Sequence, residues 1–180
     1  MIDSYMAFLA IIFFADLFYM EVSGKRAETF LLLPYEKQHQ TLFKRLLISW
    51  VYLELVGNLA FVCFYLFYQP VSWNGGSLAI AYIQSLYASS ASILFFGVLS
   101  FTLVNLFQQL WAGIGLGLAL WFALNSSVGT RIPLWLNVLN SDVDASFWAV
   151  GKLFGILLVA FMLCINKKAF SEGREMKLEH

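Results

Sequence analysis

Charge is scarce in this chain: 12% of its 180 residues are Asp, Glu, Lys or Arg, where a soluble domain carries about 25%. That little charge cannot cover a water-facing surface, which excludes an ordinary soluble globular domain. The formal net charge is zero, so there is no bulk attraction to nucleic acid, and none is expected as a partner. Cysteine is limited to Cys63 and Cys164. Both fall inside apolar runs, where they act as small apolar side chains, and no Cys/His spacing of a structural zinc site exists. Histidine is nearly absent. His180 belongs to Leu178-Glu179-His180, which reads as the start of a vector-encoded tag and is set aside, leaving His39. The phosphate-loop pattern G-x-x-x-x-G-K-[ST] is missing, as are H-E-x-x-H and G-x-S-x-G. The chain is therefore not expected to hold ATP in a loop of its own. No catalytic residue, metal or cofactor is assigned to it.

What the chain has in abundance is apolar surface: 61% hydrophobic residues, 18% aromatic, and a mean hydropathy of +0.75. These values predict an all-α integral membrane protein, with residues 1–177 forming a single transmembrane domain. A spanning helix needs roughly 20 mostly apolar residues. Five segments meet or approach that length: Ser4–Val22, Leu46–Tyr68, Leu78 to about Thr102, about Leu110–Asn125, and Phe147–Ile165. The third and fourth form one uncharged stretch, too long for a single span, so a break is placed at Asn105-Leu106-Phe107-Gln108-Gln109. The first run has no basic region before it and no small-residue cleavage site after it, so it reads as a retained helix rather than a signal peptide.

The connectors differ in kind. Gln69–Gly76 contains Pro70 and Gly75-Gly76 and reads as a turn-rich loop. Ser126–Ser146 contains an apolar patch, Ile132–Leu139, with Trp135. It is too short to span and is expected to lie at the interface or re-enter from the outside. Lys25–Arg45 holds five of the eleven Lys and Arg residues. A second basic group, Lys167, Lys168 and Arg174, follows the last run, with Lys177 at the tag junction. Positive charge marks the cytoplasmic side. With five helices, both basic regions fall inside and the N-terminus outside.

Few polar residues lie within the apolar runs, and each is expensive there, about 2.5–3.5 kcal/mol for an ionisable group. Asp16, Glu54 and Lys152 are the ionisable candidates. Asp16 and Lys152 either line a polar pathway or pair across helices, or reach the interface from their places near helix ends. Glu54 is deeper, and Asn58 follows at i+4 on the same face. The pair makes a polar stripe directed into a helix contact, which serves either structure or a polar pathway. Gln84, Ser85, Ser89, Ser90 and Ser92 suit close helix packing. Gly113, Gly115 and Gly117 alternate in an apolar helix, without the strand a nucleotide fingerprint requires.

The basic connector has a finer pattern. Glu28 opens the run E-T-F-L-L-L-P, which ends at Pro34, and Lys44 follows ten residues later. Physically this is a short amphipathic segment at the cytoplasmic interface, stopped by proline and followed by a basic lead into the next helix. The wording resembles the permease subunits of ABC exporters of the second type. They carry a cytoplasmic segment of the form E-x-L-L-x-x-P-x-[ST]-[RK], with a later G-K. Glu28, Leu31, Pro34 and Lys37 stand at the matching offsets, Leu32 lies one place beyond the leucine pair, and Lys44 stands for the later lysine without its glycine. The polar break at Asn105–Gln109, the short outer segment Ile132–Leu139 and the basic Lys167-Lys168 also fit that family. Two departures stand beside the match. Lys25-Arg26 replaces the usual glycine-threonine pair, and the family has six helices with both termini inside, against five here.

The resemblance implies a permease working as a homodimer or heterodimer in the bacterial plasma membrane. Glu28–Lys44 would be its coupling segment, docked on a separate cytoplasmic ATPase. Other readings of the residues are a five-helix ligand-binding or sensor protein with an aromatic pocket, an intramembrane enzyme using Glu54 or Asp16, and a structural subunit of a larger complex. The substrate is not legible.

Overall fold

The computed structural model describes residues 2–22, 34–68, 78–107, 109–126, 131, 133, 138–139 and 148–178. They form five helices: α1 (Ile2–Val22), α2 (Tyr35–Tyr68), α3 (Leu78–Phe107), α4 (Leu110–Asn125) and α5 (Trp148–Leu178). Among the described residues there is no strand. Each helix coincides with an apolar run free of proline, where backbone groups are satisfied within the segment, as a lipid environment demands.

Helix boundaries follow local chemistry. Pro34 opens α2: its carbonyl accepts from Lys37 N at 2.9 Å and Gln38 N at 3.1 Å. A proline just before a helix costs nothing, because the missing donor would be unpaired there anyway. The helix thus begins eleven residues before the expected Leu46. The reason is an inward stripe that continues into the polar stretch: Gln38, Leu42, Leu46, Ser49 and Leu53 are all buried at i+3 and i+4 steps. The α3–α4 break falls within the expected segment. Gln109 is extended, with φ −136° and ψ 124°, and its carbonyl accepts from Gly113 N at 3.3 Å.

Pair contacts give the helix directions. Met6 of α1 packs on Gly57 of α2, while the Phe13 ring stacks 5.4 Å from that of Tyr52. Those two helices therefore run antiparallel. Glu54 meets Ser89 and Asn58 meets Tyr82, so α2 and α3 are antiparallel too. Ile11 lies on Gly117, and Ser4 Oγ donates to Asn125 Oδ1 at 2.8 Å, so α4 runs against α1. In contrast, Ser92 pairs with Lys152 and Asn105 with Asn166, which makes α3 and α5 parallel. The bundle is an up-and-down array. The start of α2 and the end of α5, which carries Lys167, Lys168, Arg174 and Lys177, lie at the same end.

α1 and α3 form the centre. Ala7, Ala10, Ile11, Phe14 and Ala15 of α1 are fully enclosed, as are Ile93, Phe96 and Val98 of α3. Alanines let the two backbones approach closely. At Gly97 a Cβ would lie 2.9 Å from the Phe14 ring, so glycine makes room for that ring. Large apolar side chains cover the outside instead, including Ile48, Leu55 and Leu59 of α2 and Leu153, Leu157 and Phe161 of α5. An apolar exterior this extensive suits lipid contact and not water. Among the described residues three helices, α2, α3 and α5, contain segments long and apolar enough to cross a membrane. α1 runs 21 residues, and α4 is shorter at 16. The protein is a helical bundle of membrane type.

Candidate functional site

The polar residues of the apolar interior converge on one stripe of α3. Tyr82, Ser85, Ser89 and Ser92 succeed one another at steps of three and four, which puts them on a single face. On one side stands α2. Tyr82 Oη donates to Asn58 Oδ1 at 2.7 Å, and Asn58 Nδ2 donates to the Glu54 carbonyl at 2.8 Å. Ser89 Oγ lies 3.1 Å from Glu54 Oε1 and 3.1 Å from the Leu86 carbonyl oxygen. The expected Glu54–Asn58 stripe is therefore real, and its partner is α3. One turn earlier on the same face of α2 is Trp50. Its Nε1 and Glu54 Oε2 are both buried with no hydrogen-bond partner among the described residues.

On the other side stands α5. Lys152 is 0% exposed. Its Nζ donates to Ser92 Oγ at 3.2 Å and to the Val138 carbonyl oxygen. Of the two readings of Lys152, reach to the interface does not hold: the residue lies near the start of its helix, but the side chain turns inward to a contact with α3. The cause is the Val138–Leu139 turn, whose two residues are buried in the core. Val138 packs on Gly155, where a Cβ would meet both Val138 methyls at 3.0 Å. A carbonyl is thereby brought within reach of the amine, and a buried ammonium needs such acceptors.

The remaining candidates are not gathered into this seam. Asp16 is exposed. The Phe13–Tyr52 stack sets the register of α1 on α2 and leaves Asp16 displaced from Glu54 toward the basic end of the bundle. Gln84 is half-buried on a neighbouring face of α3. Of the connector residues, Glu28, Leu31 and Leu32 lie outside the described residues. Pro34, Lys37 and Lys44 are exposed. Lys37 and Lys44 are two turns apart on an outward face of α2, opposite the buried Gln38–Leu42–Leu46 stripe.

A second polar contact was not anticipated. Asn166 Nδ2 donates to Thr102 Oγ1 at 2.8 Å and to the Met162 carbonyl at 2.9 Å, while its Oδ1 accepts from Asn105 at 3.1 Å. It ties α3 to α5 at the basic end. The available signal was an asparagine directly after the Phe147–Ile165 run. Gly113 and Gly117 are buried in helix contacts and nothing approaches Gly115, which accords with packing for the glycine series. Among the described residues no group of three or more His, Cys, Asp or Glu could hold a metal ion.

No family model, curated protein or solved structure matches this chain. The functional reading therefore rests on the residues and their arrangement.

Proposed function

We propose that this chain is the permease subunit of an ATP-driven exporter, with residues 25–45 docking on a separate cytoplasmic ATPase. The observation that carries this reading is the continuity of α2. The helix begins directly after Pro34 and runs unbroken to Tyr68, about 51 Å at 1.5 Å per residue. Its apolar stretch starts only at Leu46, after Lys44-Arg45, so the first turns project beyond the hydrocarbon with Lys37 exposed. A displacement of that end is carried by a rigid rod over about 25 Å, from Lys37 to Glu54, into the α2–α3 seam. Motion of this kind is how a docked motor transmits closure to helices.

The basic starts and ends gathered at one pole support a cytoplasmic placement for that pole, with the N-terminus outside. In this reading all five helices lie in the bilayer. The Val138–Leu139 turn dips into the outer end as part of a re-entrant segment. A dimer of such permeases would enclose the path of the cargo. The experiment is co-purification with the ATPase and ATP-driven transport after Glu28→Ala and Leu32→Ala. Both substitutions are expected to weaken assembly or uncouple hydrolysis from transport; unchanged assembly and unchanged transport would refute the docking role.

A further inference from the structure

Glu54 is the only acidic or basic residue of α2 beyond Arg45, and its surroundings are specific about the form it takes. Ser89 has one hydroxyl hydrogen and two acceptors equally distant at 3.1 Å, Glu54 Oε1 and the Leu86 carbonyl. If the hydrogen points to Glu54, the serine serves a carboxylate. If it points to Leu86, a serine lone pair is free to accept from a protonated Oε1. The contact accommodates both forms with no movement of the backbone.

The second carboxyl oxygen separates them. Oε2 is buried and has no donor among the described residues. In an ionised carboxylate it would be a bare anionic oxygen in an apolar interface, which is far more costly than a neutral carbonyl oxygen lacking one hydrogen bond. Among the described residues the facing groups supply no compensating charge. From α3, Tyr82 is committed to Asn58 and Ser89 is neutral. From α1, Met6 packs on Gly57 of α2 and Phe13 on Tyr52 of the same helix; both side chains are uncharged, and the acid Asp16 is exposed. Lys152 of α5 donates to Ser92 and Val138 on the other side of the stripe.

We propose that Glu54 is a reversible proton-binding site within the α2–α3 contact, and that the proton sets the direction of the Glu54–Ser89 hydrogen bond. On binding, a proton from water joins a carboxylate oxygen, and the Ser89 hydrogen turns to the Leu86 carbonyl. On release, the proton returns to water and the Ser89 hydrogen turns back to Glu54. The site follows from the helix contact and stands whether or not the chain is a permease.

The test is infrared spectroscopy of the full-length protein in lipid nanodiscs, with glutamate carboxyls labelled with carbon-13. At neutral pH a labelled carboxylic-acid carbonyl band is expected that moves in heavy water, disappears on alkaline titration and is absent in Glu54→Gln. In Ser89→Ala the band is expected at a shifted frequency, because its hydrogen-bond partner is gone. Absence of the band in the labelled wild type overturns the proposal, and that measurement needs no variant to fold. A band that persists in Glu54→Gln belongs to another glutamate, and one that ignores Ser89→Ala is not hydrogen-bonded to Ser89; either result also overturns it.

Discussion

Two glycines one turn of thought apart in sequence, Gly113 and Gly115, give a test of the packing with opposite signs. At Gly113 an added Cβ would lie 2.3 Å from Val104 Cγ2, 3.0 Å from Val104 N and 3.1 Å from the Ser100 carbonyl oxygen. The methyl could rotate away, but the two backbone atoms cannot, so α4 would have to separate from α3. Overpacking of this kind costs about 1–3 kcal/mol. At Gly115 nothing lies within 4 Å, and alanine there gains up to about 1 kcal/mol in helix propensity. The propensity gain is common to both positions, so the overpacking cost alone separates them and puts Gly113→Ala about 2 kcal/mol below Gly115→Ala. At roughly 2–4 °C per kcal/mol for a chain of this size, that is a separation of roughly 4–8 °C. The assay is thermal unfolding of both variants and wild type in one detergent, followed by intrinsic fluorescence. The expected order is Gly115→Ala at or above wild type and Gly113→Ala well below. Gly113→Ala as stable as Gly115→Ala would mean that α4 does not pack on α3 in this register.

Lys152→Met keeps the length of the side chain but removes the donor from Ser92 and Val138, and a melting point lowered by about 1–3 kcal/mol equivalent is expected; a variant as stable as wild type would show that the amine does not hold the Val138 turn. The proposed orientation is read by an impermeant maleimide on intact cells, in a background with Cys63 and Cys164 replaced by alanine. Arg131→Cys should label and Lys37→Cys should label only after lysis; the reverse pattern would invert the topology.

Much of the architecture was legible because it depends on local properties. Proline-free apolar runs set the helices, and the Asn105–Gln109 cluster marked the break in a stretch without charge or proline. The i+4 spacing of Glu54 and Asn58 was enough to place them on one face. The early start of α2 was missed because His39, Gln40 and Lys44 make that stretch look like a loop, although Leu42 and Leu46 already keep helical step with Leu53. Lys152 stayed open between two readings for a different reason. Its depth along α5 is readable, but the carbonyl that turns it inward belongs to Val138, which contacts it only through the fold.

The chain by itself determined its solvent and its segments: too little charge for water, enough apolar length for lipid, and basic residues gathered in two places. Only the tertiary structure decided which side of each helix faces inward. In a water-soluble protein hydrophobicity distinguishes core from surface, so a helix shows its buried face in its sequence. Here α1 and α4 are apolar on all sides, because lipid tails and helix neighbours are equally acceptable to leucine or phenylalanine. Inward faces were selected by shape, with Phe14 over Gly97 and Val104 over Gly113, and by the few hydrogen bonds that Glu54, Lys152 and Asn166 could make only with residues distant in sequence.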